Sequence, residues 1–249
     1  MKKPIIIILL IGYVFSQTGF EIAKLVDEKP SPDDMSNTTK MVLTNKKGKS
    51  RSLSMVSKSM DGNKKQISWF LKPKDDKGVA FLKIEHEGKD DEMRMWLPAF
   101  KKVRRIYSKK KGDAFMGSDL SYEDLSSRDL DENEYRRLDD ETVGGKDCYV
   151  LEILPKKSAK SSYTKHISWI EKSTLMGVKE ESFDKRGELK KKKEYEFKDM
   201  KGFDIMKRVF VEDVQKQHST EVTFSDIEVD SGIEEKLFQE KNLKRLPKK

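Results

Sequence analysis

Few side chains in this chain are of the types that do chemistry, and their spacing is unhelpful to it. The three histidines, His86, His166 and His218, lie far apart, and none has a second ligand at the spacing of a helical metal site. Cys148 is the only cysteine, so it can form no intramolecular disulfide; beside Tyr149 in a strand pattern it reads as a small packed residue. Ser162 and Lys165 have the spacing of a serine–lysine nucleophile pair. They lie in a Lys/Ser-rich loop rather than at a helix start, which makes chance the better explanation. Asp129, Asp131, Asn133 and Asp140 echo a calcium loop. Glu134, however, stands where the sharp turn needs glycine, and Asp140 replaces the bidentate glutamate. There is no glycine-rich phosphate loop and no nucleophile elbow. The chain therefore reads as non-enzymatic, with no metal and no cofactor.

Two other residue classes are abundant. Lysine and arginine number 52 against 44 acidic residues, and the basic ones come in runs. Lys101, Lys102, Arg104, Arg105 and Lys109 to Lys111 form one run, and Lys190 to Lys193 another. Only Phe100 and Tyr107 interleave with the first, which is thin for nucleic-acid binding, and nucleic acid is not expected as a partner. The first run reads equally as a solvated edge or as a dock for an anionic membrane or acidic partner. The second reads as a solvated strand face. Methionines and aromatics are the second class. Leu53 and Met55, Trp69 and Leu71, Phe81, Met95 and Leu97, and Leu151 and Ile153 each fall on one face of a strand pattern. Phe115 and Met116 follow as an apolar pair. Flexible, polarisable methionine suits surfaces that adapt to varied apolar ligands, so these eleven residues are the candidate lipid-binding set.

The elements that must position them are mostly strands. Hydrophobic residues make up 35% of the 249 and charged residues 39%, a balance suited to a sheet with one apolar and one charged face. Alternation recurs at short intervals from Thr39 onwards, with turn signals at Asn45–Gly48, Asp61–Gly62–Asn63, Gly88, Gly144–Gly145, Lys185–Gly187 and Lys201–Gly202. Asp61–Gly62 predicts a tight hairpin. Ten or more antiparallel strands are expected, as a curved incomplete barrel. Three helices are expected to cap its concave side: Glu21 to Glu28, Ser118 to Ser126 (opened by the capping-box-like Ser121-x-x-Asp124), and Ile233 to Lys241. Lys2 and Lys3 precede a short apolar run, Ile5 to Phe15, which reads as an export signal cleaved after Ser16, the alternative being an uncleaved anchor. Residues 17–249 are then expected as one domain.

The blocks WLPAFKKVRRI (96–106) and FMGSDLSYEDL (115–125), and the C-terminal stretch from Lys201 to Leu246, resemble the bacterial outer membrane lipoprotein-sorting proteins, a branch of the LolA-like superfamily. The resemblance covers most of the chain after the leader. It implies a half-open curved β-sheet with helices over its mouth and a lipid-accepting cavity. The corresponding function is a periplasmic carrier that shields the acyl chains of a lipid or lipoprotein on the way to the outer membrane. The same resemblance admits an accessory or sensing module of an inner-membrane RND-type transporter, with no transport of its own.

Overall fold

The computed structural model describes residues 17–247; the expected export signal lies outside the described residues. Thirteen antiparallel strands form one sheet, not closed into a barrel. The first six run outward from the middle: β1 (Asp34–Thr44), β2 (Ser50–Met60), β3 (Lys65–Lys72), β4 (Ala80–Ile84), β5 (Glu92–Leu97) and β6 (Lys102–Ile106). The chain then leaves this edge and crosses to the other. From there β7 (Asn133–Val143), β8 (Lys146–Pro155), β9 (Lys165–Glu171), β10 (Gly177–Phe183), β11 (Leu189–Met200), β12 (Phe203–Asp213) and β13 (His218–Val229) run back inward, until β13 pairs with β1. The sheet is thus two meanders, joined at the middle by β1 and β13 and at their outer edges by the linker 107–132.

That topology dictates where the linker goes. Neighbouring strands lie about 4.8 Å apart, so the six intervals from β4 to β11 would span roughly 29 Å if flat. Yet Phe81 of β4 and Lys193 of β11 line one and the same cavity, and linker residues touch both. Phe115 packs on Phe81 of β4 at a ring-centroid distance of 5.1 Å, and Asp124 bonds Lys193 of β11 at 2.6 Å. The sheet curls around the linker, which fills its concave side.

Helix α1 (Gly19–Asp27) is the one α-helix among the described residues. It opens with a capping box: Glu21 N donates to Thr18 Oγ1, and Thr18 N donates to the Glu21 carboxylate. Ile22 and Ala23 pack on Leu151, Ile153 and Ile170. Glycine at 19 permits the approach, since a Cβ there would lie 2.8 Å from the Arg137 amide nitrogen. The other two expected helices do not form. Ser121 and Asp124 do bond reciprocally (Ser121 N to Asp124 Oδ2 2.8 Å, Asp124 N to Ser121 Oγ 3.3 Å), but only a 3-10 turn, Glu123–Leu125, follows. The Asp124 carboxylate is drawn instead to lysines on β11. Residues 233–241 form short 3-10 turns on the outer face of the sheet, where Phe238 and Leu243 pack on Ile67, Trp69, Ala80 and Leu82. They cover the convex side rather than capping the concave one. The Asp61–Gly62 hairpin forms with a loop of four residues, and Asp61, Gly62 and Asn63 all have positive φ.

The candidate cavity and its closure

The site is a cavity of about 440 Å³ on the concave face, within the usual range for small-molecule sites. Strand periodicity selects its lining. On β1 and β2 the inward residues include Met41 and Met55, which belong to one buried apolar cluster with Phe70, Phe81 and Phe115. From the other meander come Phe197, Ile205, Met206, Val209, Val222 and Phe224. The cavity runs toward the sheet end that carries the β2–β3 hairpin, where Gly62, Asn63, Ser31 and Pro32 form its rim.

Of the eleven expected lipid-binding residues, Met55, Phe81 and Phe115 line this cavity. Leu53 and Met95 are buried in the same cluster behind it, with Leu97 and Met116 packed against that cluster. Leu71 is half-buried and lies outside it. Trp69 is on the opposite face, because Ser68 and Phe70 take the inward positions of β3. Its indole Nε1 donates to the Asn242 carbonyl at 3.2 Å. Leu151 and Ile153 share the concave face but lie beneath α1. The wall from β12 and β13 was missed in the sequence reading. Its signal is the alternation of Val209 with Val211 and of Val222 with Phe224, but nothing local in the sequence says that β13 pairs with β1.

The linker enters the cavity through a small hairpin-like loop. Ala114 bridges Ser121, Phe115 N donates to the Leu120 carbonyl at 2.8 Å, and Met116 and Gly117 turn with φ of 52° and 78°. Phe115 thereby meets Phe70, Phe81 and Tyr122 with ring centroids 5.1 to 6.0 Å apart. Nearby, Asp119 is buried against β13: its Oδ2 accepts from Thr220 Oγ1 at 2.6 Å and from His218 Nδ1 at 2.7 Å.

Further along, the linker is held by charge. Lys191 and Lys193 point inward from β11, each 4% exposed, and both donate to Asp124 at 2.6 Å. Lys193 also donates to Glu180 of β10 at 3.0 Å, and Arg128 grips Glu180 with two bonds of 2.6 and 2.8 Å. The Lys190–Lys193 run is therefore not a solvated face; every second lysine is buried. Burial by itself would raise the Asp124 and Glu180 carboxyls, but the adjoining cations outweigh it and hold both well below the usual range. Burial likewise opposes the charge on Lys193, and the two carboxylates override it and keep this ammonium protonated. His166 is buried beside Arg128 and Ser182; desolvation first, then the guanidinium, push it well below its ordinary value. It is neutral at pH 7. Ser162, of the serine–lysine pair, donates instead to the Glu123 carboxylate at 2.5 Å.

The expected docking cations sit on the other meander's edge. Lys101, Lys102, Arg104 and Arg105 are all exposed, with Lys101 at the β5–β6 turn. Arg104 pairs with Met95 and Arg105 with Arg94, so successive residues of β6 project to opposite faces of the sheet. The turn lies at the far end of the sheet from the cavity rim.

A domain from Vibrio parahaemolyticus described as an outer membrane lipoprotein-sorting protein is 33% identical, with a TM-score of 0.86 over 91% of this chain and 98% of its own. A DUF1329 family protein from Desulfovibrio piger is 29% identical, with a TM-score of 0.85 over 90% and 97%. A LolA superfamily protein from Nitrosomonas europaea shares the fold at 19% identity, with a TM-score of 0.72 over 91% and 99%. A family model described as an uncharacterized protein matches residues 62–245. No curated protein matches the chain. The half-open sheet, the linker across its concave side and these likenesses agree: the chain belongs to the outer membrane lipoprotein-sorting protein family, on a LolA-like fold.

Proposed function

We propose that the protein is a non-enzymatic periplasmic carrier that holds the acyl chains of a lipid or lipoprotein in the concave cavity and moves them towards the outer membrane. One observation carries this reading. The concave face keeps a largely apolar cavity of about 440 Å³ between two meanders. Each methylene moved from water into such a space gains about 0.8 kcal/mol, so a long chain supplies its own affinity. Met55, Phe81 and Phe115 would touch the chain directly, with Leu53 and Met95 supporting them. Lys101, Lys102, Arg104 and Arg105 would steer the loaded protein to an anionic surface, an effect on encounter rate more than on affinity.

The test is native mass spectrometry with lipid extraction on protein purified from its own periplasm. A bound amphiphile, displaced by a fluorescent acyl probe at one site per chain, is the expected result. Protein that emerges empty and binds no acyl probe overturns the reading. The same material, mixed with donor and acceptor vesicles, separates a carrier from an accessory module of an inner-membrane transporter: only a carrier moves cargo between them.

A further inference from the structure

The cavity is not uniformly apolar. On its β1–β3 wall, Asn37, Ser57 and Ser68 stand side by side on three adjacent strands, Asn37 opposite Ser57 and Ser57 opposite Ser68. All three line the cavity and are at least nine-tenths buried. Two residues deeper, about 7 Å along the strands, the same faces carry Thr39, Met55 and Phe70. Two residues outward lie Met35, Ser59 and Gln66, and then the rim. The neutral polar band therefore crosses the cavity between its apolar depth and its mouth.

The hydrogen bonds of the band leave donors over. The hydroxyls of Ser57 and Ser68 bond each other at 2.8 Å, which uses one of their two O–H groups. Asn37 Oδ1 accepts from Thr39 Oγ1 at 2.7 Å, and no hydrogen bond among the described residues uses the Asn37 amide nitrogen. That nitrogen opens on the cavity, where it is satisfied by what enters. The charged groups around the cavity are all committed. Lys193 is held by Asp124 and Glu180, Asp204 by Lys29 at 2.8 Å, and Asp34 by the Ser231, Gly232 and Ile233 amides. An anion entering here would meet no free cation.

Resting on the carrier reading above, we infer that the Asn37–Ser57–Ser68 band is a subsite for the ester or amide carbonyl at the head of an acyl chain, whose tail fills the deeper apolar layer. Carbonyl oxygens accept and do not donate, which matches unpaired O–H and N–H groups. A phosphate or free carboxylate would have to lose its hydration without a counter-charge, so it stays outside the band.

The experiment is competition against a fluorescent acyl probe, using dodecane, methyl laurate and laurate as matched twelve-carbon ligands. Wild-type protein is expected to prefer methyl laurate over laurate. Ser57→Ala with Ser68→Ala removes both partners of one hydrogen bond, a change that is nearly neutral for folding. Adding Asn37→Ala removes the amide donor from the band; the Thr39 hydroxyl that it frees lies one layer deeper. The triple variant should lose about tenfold in methyl laurate affinity, the worth of one to two hydrogen bonds, with dodecane affinity unchanged. Should the triple variant not fold, Asn37→Ala by itself repeats the measurement. An unchanged ratio of methyl laurate to dodecane, or laurate binding tighter than its ester, overturns the subsite and leaves the carrier standing. Failure of folded wild type to bind any of the probes overturns both. Dioleoylglycerol and a synthetic diacylglyceryl-cysteine peptide as further competitors tell a membrane lipid from a lipoprotein anchor. Whichever competes should lose affinity in the variant, and the subsite fails if neither does.

Discussion

Within fourteen residues the linker meets the sheet in two different ways. At Phe115 it is held by ring packing against Phe70 and Phe81 of the sheet, with Tyr122 of the linker itself against the same ring. At Asp124 it is held by buried ion pairs to Lys191 and Lys193, and at Arg128 by a partly exposed pair to the buried Glu180, all on the other meander. The two are not interchangeable. Apolar packing is non-directional, and another hydrophobic group can take its place with little loss. A buried charge deprived of its partner has no substitute. On the proposed carrier reading, the linker is fixed at its ionic end and replaceable by an acyl chain at its aromatic end.

Removing the ionic anchor should have the largest effect. Asp124→Ala leaves two ammonium groups facing each other out of water, and should lower the unfolding free energy by about 3–5 kcal/mol in urea denaturation. A loss below about 1 kcal/mol would mean that the pairs are dispensable, and the contrast would fail. Next comes the aromatic end. Phe115→Ala should cost about 3 kcal/mol in the empty protein. Saturating acyl probe should recover part of that cost in the variant, which should therefore bind the probe more tightly than wild type. If ligand stabilises variant and wild type equally, cargo does not reach the space Phe115 fills.

The third prediction uses pH to tell the ends apart. His166 has a folded-state pKa well below its ordinary value, so on acidification the unfolded chain takes up the proton first. Stability should therefore be full above about pH 6.5 and fall as pH drops below it, by up to about 1.4 kcal/mol per pH unit. Below about pH 4 the depressed Asp124 and Glu180 add to the loss, since protonating them breaks the pairs. His166→Gln should flatten the profile between pH 6.5 and pH 5, measured by urea midpoints, whereas Phe115→Ala should run parallel to wild type. Parallel profiles for all three proteins would place the acid sensitivity elsewhere. The smallest effect on the fold belongs to the exposed edge. Changing Lys101, Lys102, Arg104 and Arg105 to Glu should leave the urea midpoint and cargo affinity unchanged, slow transfer to anionic vesicles and flatten its dependence on salt. A transfer rate at low salt equal to wild type would leave these residues only a solubilising edge.

Local signals were readable where the physics is local. The Asp61–Gly62 turn follows from two residues that tolerate positive φ. The Thr18 capping box is also local, although the expectation placed that helix two residues late. Ser121 and Asp124 bond reciprocally as their spacing implies, but a helix did not follow, because a partner far away in sequence competes for the carboxylate. The C-terminal residues carry an amphipathic pattern that fits a helix; packing on Trp69 turned it into short turns on the convex face. Trp69 itself alternates correctly with Ile67. What its pattern lacks is any statement of which side of the sheet is concave.

By itself the sequence determined the strands, most of the turns and the apolar pair whose Phe115 enters the cavity, because strand periodicity and turn chemistry act over a few residues. Tertiary structure decided the rest. Pairing of β1 with β13 brought residues about 190 positions apart into register and made one cavity from two meanders. In the run Lys190–Lys193, a period of two requires that alternate lysines share a face. Only the closing of the linker over β11 turned Lys191 and Lys193 into buried partners of Asp124, 67 and 69 residues away. A register one residue different would have buried Lys190 and Lys192 instead, and no local property of four consecutive lysines distinguishes the two.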